Sequence, residues 1–101
     1  MSSAGLVTIS YSVPQSKARE FETLMRDLVD RINNAQQGVK MGLFKSENGE
    51  SNFVEVYDCD TPESFDSLED NLDDDTRSMI NRVAADFATA RQIVTTMRRV
   101  I

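Results

Sequence analysis

Histidine and tryptophan are absent from this chain, and cysteine occurs once, at Cys59. Histidine is the commonest general base near neutral pH and the commonest ligand of transition metals, so its absence removes the usual basis for both chemistries. Catalytic groups built from serine, histidine and aspartate, or from cysteine and histidine, are excluded. Carboxylates, tyrosine, lysine and the single thiol remain as reactive groups, and we expect no metal and no bound cofactor.

Basic residues are also scarce, since 11 lysines and arginines stand against 17 aspartates and glutamates, a net charge of -6. Because nucleic-acid binding needs clustered positive charge, we expect no nucleic-acid partner. No apolar run approaches the roughly 20 residues that cross a bilayer, and the first residues lack a signal-peptide pattern, so we expect no membrane association. A lone cysteine forms no internal disulfide, which fits a reducing compartment, and we expect a cytoplasmic protein.

The length of the chain and its apolar fraction of 40% allow one domain over residues 1–101, with residues 1–5 expected to be disordered. Apolar residues alternate along residues 6–13, which predicts a first strand that Pro14 ends. Ser16 is the expected N-cap of a helix, and Gly38 can take the left-handed conformation where that helix stops. The helix has apolar positions at spacings of three and four: Ala18, Phe21, Leu24, Met25, Leu28, Val29, Ile32 and Ala35.

Two strand patterns, residues 39–46 and 52–58, flank the turn pair Asn48-Gly49, the strongest short signal for a β-hairpin. Thr61-Pro62-Glu63 then predicts a helix start. The acidic run 70–75 interrupts this helical region, and Asp74 or Asp75 can cap a second segment. Residues 92–101 are rich in β-branched residues and predict a last strand, although their end could instead prolong the helix.

The resulting order, βαββαβ, predicts an α+β fold of the ferredoxin-like type: a four-stranded antiparallel sheet with strands one and three central and the helices on one face. A two-residue turn at Asn48-Gly49 pairs Phe44 with Phe53 and Lys40 with Tyr57. Under the helices, this register predicts Val7, Ile9, Tyr11, Val13, Val39, Met41, Leu43, Val54 and Val56. On the opposite, open face it predicts Leu6, Thr8, Ser10, Ser12, Lys40, Gly42, Phe44, Phe53, Glu55, Tyr57 and Cys59.

The open face carries the candidate site, because it mixes large aromatics with polar groups that need partners if they are buried. A sheltered Glu55 would have a raised pKa and could remove a proton from a phenol or an activated carbon, while Tyr57 and Lys40 stabilise the resulting oxyanion. The ligand-contacting residues on this face are predicted to be Ser10, Phe44, Phe53 and Arg98.

Each of these assignments has a structural alternative. Glu55 could pair with Lys40 or Arg98 in a dimer interface, and the two phenylalanines could anchor that interface. Cys59 precedes a helix N-terminus, whose dipole could lower the pKa of its thiol and make it reactive. The alternative is a buried thiol with a structural role only.

The element order, the hairpin of residues 39–58 and the helix start Thr61-Pro62-Glu63-Ser64 resemble the dimeric α/β-barrel superfamily, which includes the antibiotic-biosynthesis-monooxygenase-like domains. The resemblance implies two ferredoxin-like subunits packed sheet against sheet, with a cavity between sheet and helices or along the open face. It also implies a range of activities: cofactor-independent oxygenation of polycyclic phenols, haem degradation or isomerisation. The lack of histidine and tryptophan departs from the haem-binding and haem-degrading members and disfavours that activity.

Two functions therefore remain open. One is a cofactor-independent, monooxygenase-like or isomerase-like enzyme acting on a small aromatic or phenolic molecule. The other is a non-catalytic homodimer that serves as a ligand-binding or accessory module. The enzyme requires a pocket of a few hundred Å³ that reaches Glu55, whereas the module predicts that the open sheet face is filled by its partner.

Overall fold

The computed structural model describes residues 5–35, 38–47, 52–88 and 92–101, apart from the side chain of Pro62. A four-stranded antiparallel sheet of order β2-β3-β1-β4 carries its helices on one face, so the predicted ferredoxin-like α+β fold is confirmed. Within these ranges, no helix combines the length and apolar character that crossing a membrane requires. The elements are β1 (Gly5–Ser12), α1 (Ala18–Asn34), β2 (Val39–Lys45), β3 (Asn52–Cys59), α2 (Pro62–Asn71), α3 (Asp74–Arg82) and β4 (Ile93–Arg98).

Helix α1 covers the centre of the sheet with the apolar stripe that its spacing predicts, and Phe21, Met25, Leu28 and Ile32 are buried. The Phe21 ring meets three other buried rings, those of Tyr11, Phe53 and Phe87. The predicted cap at Ser16 is wrong. A 3-10 turn, Gln15–Lys17, follows Pro14, and α1 begins only at Ala18 without a side-chain cap.

The second helical region is broken, as the acidic run predicts. Thr61 caps α2 through its hydroxyl, which accepts a hydrogen bond from the Ser64 backbone amide. Leu72 takes an extended conformation between the two helices. The cap of α3 is Asp73, and not Asp74 or Asp75, because its carboxylate accepts from the amide of Thr76 at 2.8 Å. Helix α3 continues into a π turn, Val83–Phe87.

Strand β4 confirms the strand interpretation of the last segment and lies at one edge of the sheet, paired with β1. Residue 5, expected to be disordered, is instead the first residue of β1, which pairs with both β3 and β4. Residues 1–4 lie outside the described part of the chain.

The pairing of β2 with β3 differs by one residue from the prediction. Lys45 pairs with Phe53 and Phe44 with Val54, whereas a two-residue turn would pair Phe44 with Phe53. The turn pair Asn48-Gly49 itself lies outside the described residues. Because side chains alternate along a strand, this shift moves every residue of β3 to the opposite face. Phe53, Glu55, Tyr57 and Cys59 therefore lie under the helices, and Val54 and Val56 lie on the open face, the reverse of the prediction.

Gly38 holds the chain between α1 and β2 with φ at +77°, the left-handed conformation predicted for it. Its carbonyl also accepts a hydrogen bond from the amide of Asp60. We expect Gly38→Ala to lower the free energy of unfolding by about 1–2 kcal/mol, since a Cβ is strained at this φ and would lie 3.1 Å from the Ser64 hydroxyl. Urea denaturation measures the loss.

Gly42→Ala is the matched control, because the added Cβ in β2 would make only ordinary contact with the Phe44 ring. Equal losses in both variants would show that the conformation of Gly38 is not the cause.

Candidate functional site

The site is built around Glu55 in the middle of β3, with its carboxylate on the helix side of the sheet and 6% of the residue exposed. Tyr11 of β1 and Tyr57 of β3 lie on the same face. Tyr11 is in register with Phe53, which makes it a diagonal neighbour of Glu55 within reach of a long side chain. Sheet pairing therefore brings two phenols to one carboxyl group.

Both carboxylate oxygens of Glu55 accept hydrogen bonds from these phenols. The Tyr11 hydroxyl donates to Oε2, and the Tyr57 hydroxyl donates to Oε1 at 2.5 Å. None of the ion pairs in the described part of the chain includes Glu55. A buried carboxylate is thus held by neutral donors and not by a cation.

Burial raises the pKa of Glu55 above its usual value, although hydrogen bonds from Tyr11 and Tyr57 oppose the rise by stabilising the charged form. Burial and the negative charge of Glu55 raise the pKa of both tyrosines, so the phenols stay protonated at neutral pH. The group therefore combines one proton acceptor with two hydrogen-bond donors.

The raised pKa of Glu55 has a measurable effect on stability. Between pH 4.5, the ordinary pKa, and the higher folded-state pKa, the unfolded chain has released a proton that the folded chain retains. Stability from this group is therefore complete below the ordinary pKa and is lost as the pH rises through the folded-state pKa. Glu55→Gln has no proton to release there.

We expect the wild-type chain to lose stability relative to Glu55→Gln as the pH rises from 4.5 through the folded-state pKa, by about 1.4 kcal/mol for each pH unit by which that pKa is raised. Urea denaturation of both proteins at each pH measures the difference, in which the titration of all other groups cancels. A difference that is constant or moves the other way would contradict the raised pKa.

A pocket of about 380 Å³ opens beside this group, between the sheet and the helices. Glu55, Tyr57 and Ile9 form its sheet wall. The facing wall is mainly apolar, and the π turn after α3 supplies part of it, as such turns often do at functional sites. The facing residues include Leu28, Phe65, Leu68, Ile80, Val83 and Ala84. The Phe65 ring also packs edge-on against Tyr57, with ring centroids 5.1 Å apart.

The structure brings together only Glu55 and Tyr57 of the seven predicted site residues. Lys40, Ser10 and Phe44 lie on the open face, where Phe44 is 61% exposed. The alternative in which Glu55 pairs with Lys40 in an interface on the open face does not fit this arrangement, since their side chains leave opposite faces of the sheet.

Two further predicted residues stay apart from the pocket. Phe53 is on the helix side but is fully buried against Phe21 and does not line the pocket. Arg98 is exposed near the end of β4, in register with Gly5, whereas the β4 residue in line with Glu55 is Val94.

Tyr11 is the member of the hydrogen-bonded group around Glu55 that sequence reasoning missed. Its position in the alternation with Val7, Ile9 and Val13 predicts that it lies under the helices. There its hydroxyl is buried and donates a hydrogen bond to Glu55. The alternation of β1 was sufficient to place Tyr11 under the helices. The hydrogen bond to Glu55 was not predicted, because the predicted register assigned Glu55 to the opposite face.

The surroundings of Cys59 support the interpretation of its thiol as a buried structural group. The side chain is unpaired and buried, its Sγ lies 3.6 Å from the carbonyl oxygen of Tyr57, and burial raises the pKa of the thiol. Within the described ranges, no group of three or more cysteine, aspartate or glutamate residues is arranged to hold a metal ion.

Solved structures match this arrangement of strands and helices over nearly the whole chain. A candidate antibiotic biosynthesis monooxygenase from Nitrosomonas europaea superposes with a TM-score of 0.83 at 13% identity, covering 99% of this chain and 93% of the other. A second, from Caulobacter crescentus CB15, gives 0.83 at 17% identity over 99% and 92%. The chain has the antibiotic-biosynthesis-monooxygenase-like fold. At these identities the likeness concerns the fold alone, and it confirms the resemblance expected from the element order.

The monooxygenase-like fold is shared with proteins of other descriptions. A conserved protein from Methanosarcina mazei Go1 superposes with a TM-score of 0.82 at 14% identity, covering 97% of this chain and 94% of the other. No protein-family model and no curated protein matches the chain. Similarity of fold therefore assigns no activity to the chain.

Proposed function

We propose that this protein is a cofactor-independent, monooxygenase-like enzyme that acts on a small aromatic or phenolic molecule bound between the sheet and the helices. One observation carries the proposal: the buried Glu55 carboxyl, with its raised pKa, lies beside the phenol of Tyr57 on the wall of a pocket whose facing wall is mainly apolar. A proton acceptor in a pocket of this size and lining suits a hydroxylated aromatic substrate.

In the proposed reaction, Glu55 accepts the proton of the substrate hydroxyl. The Tyr57 hydroxyl, which donates to Glu55 in the free chain, then turns its one hydrogen bond to the phenolate that forms. The electron-rich ring then reacts with dioxygen. One oxygen atom forms a new carbonyl on the ring and the other leaves as water with two hydrogens from the substrate, so that a phenol becomes a quinone. The substrate supplies the electrons. Tyr11, which does not line the pocket, orients Glu55 from the sheet side.

Oxygen consumption by the full chain with a panel of phenols, catechols and naphthols tests the proposal, together with mass spectrometry of the products and no added cofactor. We expect turnover of at least one panel member and its loss in Ala84→Trp, because Ala84 lines the pocket and the indole would fill it. Ala85→Trp is the matched control, since Ala85 is the exposed neighbour on the same π turn and does not line the pocket.

A non-catalytic, ligand-binding homodimer is the second candidate, favoured by one observation: both Glu55 oxygens are already satisfied within the chain. Binding of a panel member that Ala84→Trp abolishes, without turnover by any preparation, would support this module over the enzyme. The absence of both binding and turnover would contradict both candidate functions.

We further propose that two copies of the chain pair through the open sheet face. Ile93, Phe44, Met97 and Leu6 project from this face and are among the exposed large apolar residues. The accessible surface of 6804 Å² exceeds by about 1,000 Å² the value of about 5,800 Å² expected for a compact monomer of 11.4 kDa. The molecule is flat, 19 Å along its shortest axis, and one face of its sheet is uncovered, as expected for one subunit of a dimer.

We also propose a cytoplasmic location, which the unpaired cysteine favours.

A further inference from the structure

The pocket beside Glu55 has a neutral or acidic lining that differs between its floor and its mouth. The floor consists of buried residues: Leu28, Glu55, Tyr57, Leu68 and Val83. The mouth consists of exposed residues: Asp66, Glu69, Asn81, Ala84 and Gln92. A ligand that reaches the floor must therefore leave its outer end among the residues of the mouth.

The two charged residues at the mouth, within the described part of the chain, are both acidic. Asp66 and Glu69 are three residues apart on α2, so their side chains lie on the same side of the helix. The negative charge of Glu69 also reaches the floor, where it adds to the causes that raise the pKa of Tyr57. Among the described lining residues there is no lysine or arginine.

This arrangement selects ligands by charge. A carboxylate or phosphate at the mouth would face Asp66 and Glu69 with no compensating cation among the lining residues that the structure describes, whereas an ammonium group would be attracted to both. The net charge of -6 acts in the same direction at longer range. The floor imposes a different requirement, because Glu55 and Tyr57 offer hydrogen-bonding groups for a neutral hydroxyl.

We infer that the pocket takes a hydroxylated aromatic amine, with its phenolic hydroxyl on Glu55 and its ammonium group at the mouth beside Asp66 and Glu69. This inference rests on the proposed function and names the class of its substrate. The aromatic ring occupies the apolar middle of the pocket, beside the Phe65 ring and Ile80.

Three phenols of the same shape test the inference: tyramine, tyrosol and para-hydroxyphenylacetate, whose short arms end in an ammonium, a hydroxyl and a carboxylate. Isothermal titration calorimetry and ligand-observed NMR measure their binding to the full chain. We expect tyramine to bind at least about tenfold more tightly than para-hydroxyphenylacetate, with tyrosol between them, because each exposed carboxylate contributes a factor of about two to five. The preference should shrink as salt is added.

The double variant Asp66→Asn, Glu69→Gln locates the selecting charges. We expect it to bind tyrosol as the wild-type chain does and to lose most of the preference for tyramine. Asp70→Asn is the matched control, since Asp70 is exposed on α2 and does not line the pocket. It should keep the preference.

Three results would overturn the inference. Equal binding of all three phenols would remove the charge selection and leave the proposed function standing. Loss of the tyramine preference in Glu55→Gln, with the double variant unaffected, would place the ammonium group at the floor. Absence of binding by all three would overturn this substrate class, whereas the proposed function is decided separately by turnover of the wider panel.

Discussion

Glu55→Gln is expected to lower kcat/KM for a hydroxylated aromatic substrate by about 10²- to 10⁴-fold, the usual contribution of a positioned general base. Glutamine has the shape of the protonated acid, and its amide oxygen can still accept a phenol hydrogen bond, so the sheet around Tyr11 and Tyr57 should keep its structure. What the variant loses is the ability to take the substrate proton. Steady-state oxygen consumption measures the loss, and circular dichroism checks the fold.

The dependence of this activity on pH provides a second readout. Because Glu55 must be ionised to accept a proton, kcat/KM of the wild-type chain should rise through the raised pKa of this carboxyl group. Glu55→Gln should lose this rise. Tyr57→Phe should keep it, while losing up to about 10²- to 10³-fold in rate as one donor to the phenolate is removed.

Asp58→Asn is the matched control for Glu55→Gln. Asp58 lies on the same strand, but its side chain is exposed on the opposite face, away from the pocket beside Glu55. It should retain full activity. Turnover by Glu55→Gln at the wild-type rate would leave the carboxyl group with a structural role only, as a partner of the two phenols.

Ile93→Lys is expected to raise the dissociation constant of the proposed homodimer by at least about 100-fold. Ile93 projects from the open face of β4 and is 60% exposed in the single chain, so the substitution should cost the subunit fold little. In a two-fold dimer the lysine enters the interface twice, and a buried charge without a partner costs about 3–5 kcal/mol. Sedimentation velocity over a range of concentrations measures the change.

Val94→Lys is the control for this prediction. Val94 is adjacent on β4 and 59% exposed, but it is in register with Ile9 and so faces the helix side. Both variants make the net charge less negative, and weaker repulsion between subunits would by itself favour association. Dissociation of Ile93→Lys alone therefore identifies the interface, whereas a wild-type chain that stays monomeric, or equal effects of the two variants, would contradict it.

Local signals in the sequence were sufficient for most of the fold. The stripe from Phe21 to Ile32, the cap at Thr61 and the positive φ of Gly38 each depend on interactions within a few residues, and each prediction is confirmed. The errors at the helix starts are small. Pro14 is followed by a 3-10 turn before α1 begins. The cap of α3 is Asp73, one residue before the first of the two aspartates that were predicted.

The candidate site could be predicted only in part. Glu55 and Tyr57 were identified because they are a carboxylate and a phenol two residues apart on one strand, and alternation guarantees that they share a face. Lys40, Ser10 and Phe44 were added to them through the turn-derived register, and that register was one residue off. For the same reason, the contact of Tyr11 with Glu55 was not predicted.

By itself, the sequence determined the order of strands and helices and the division of β3 into two sets of side chains, because both follow from periodicity and local conformational preference. Only the tertiary structure decided which set faces the helices. Each set carries apolar residues, so a period of two does not choose between them. The choice came from contacts between distant segments: Phe53 packs on Phe21 of α1, and Glu55 accepts hydrogen bonds from Tyr11 and Tyr57. That choice placed the carboxyl group on the wall of the pocket and left the open face uncovered by the helices.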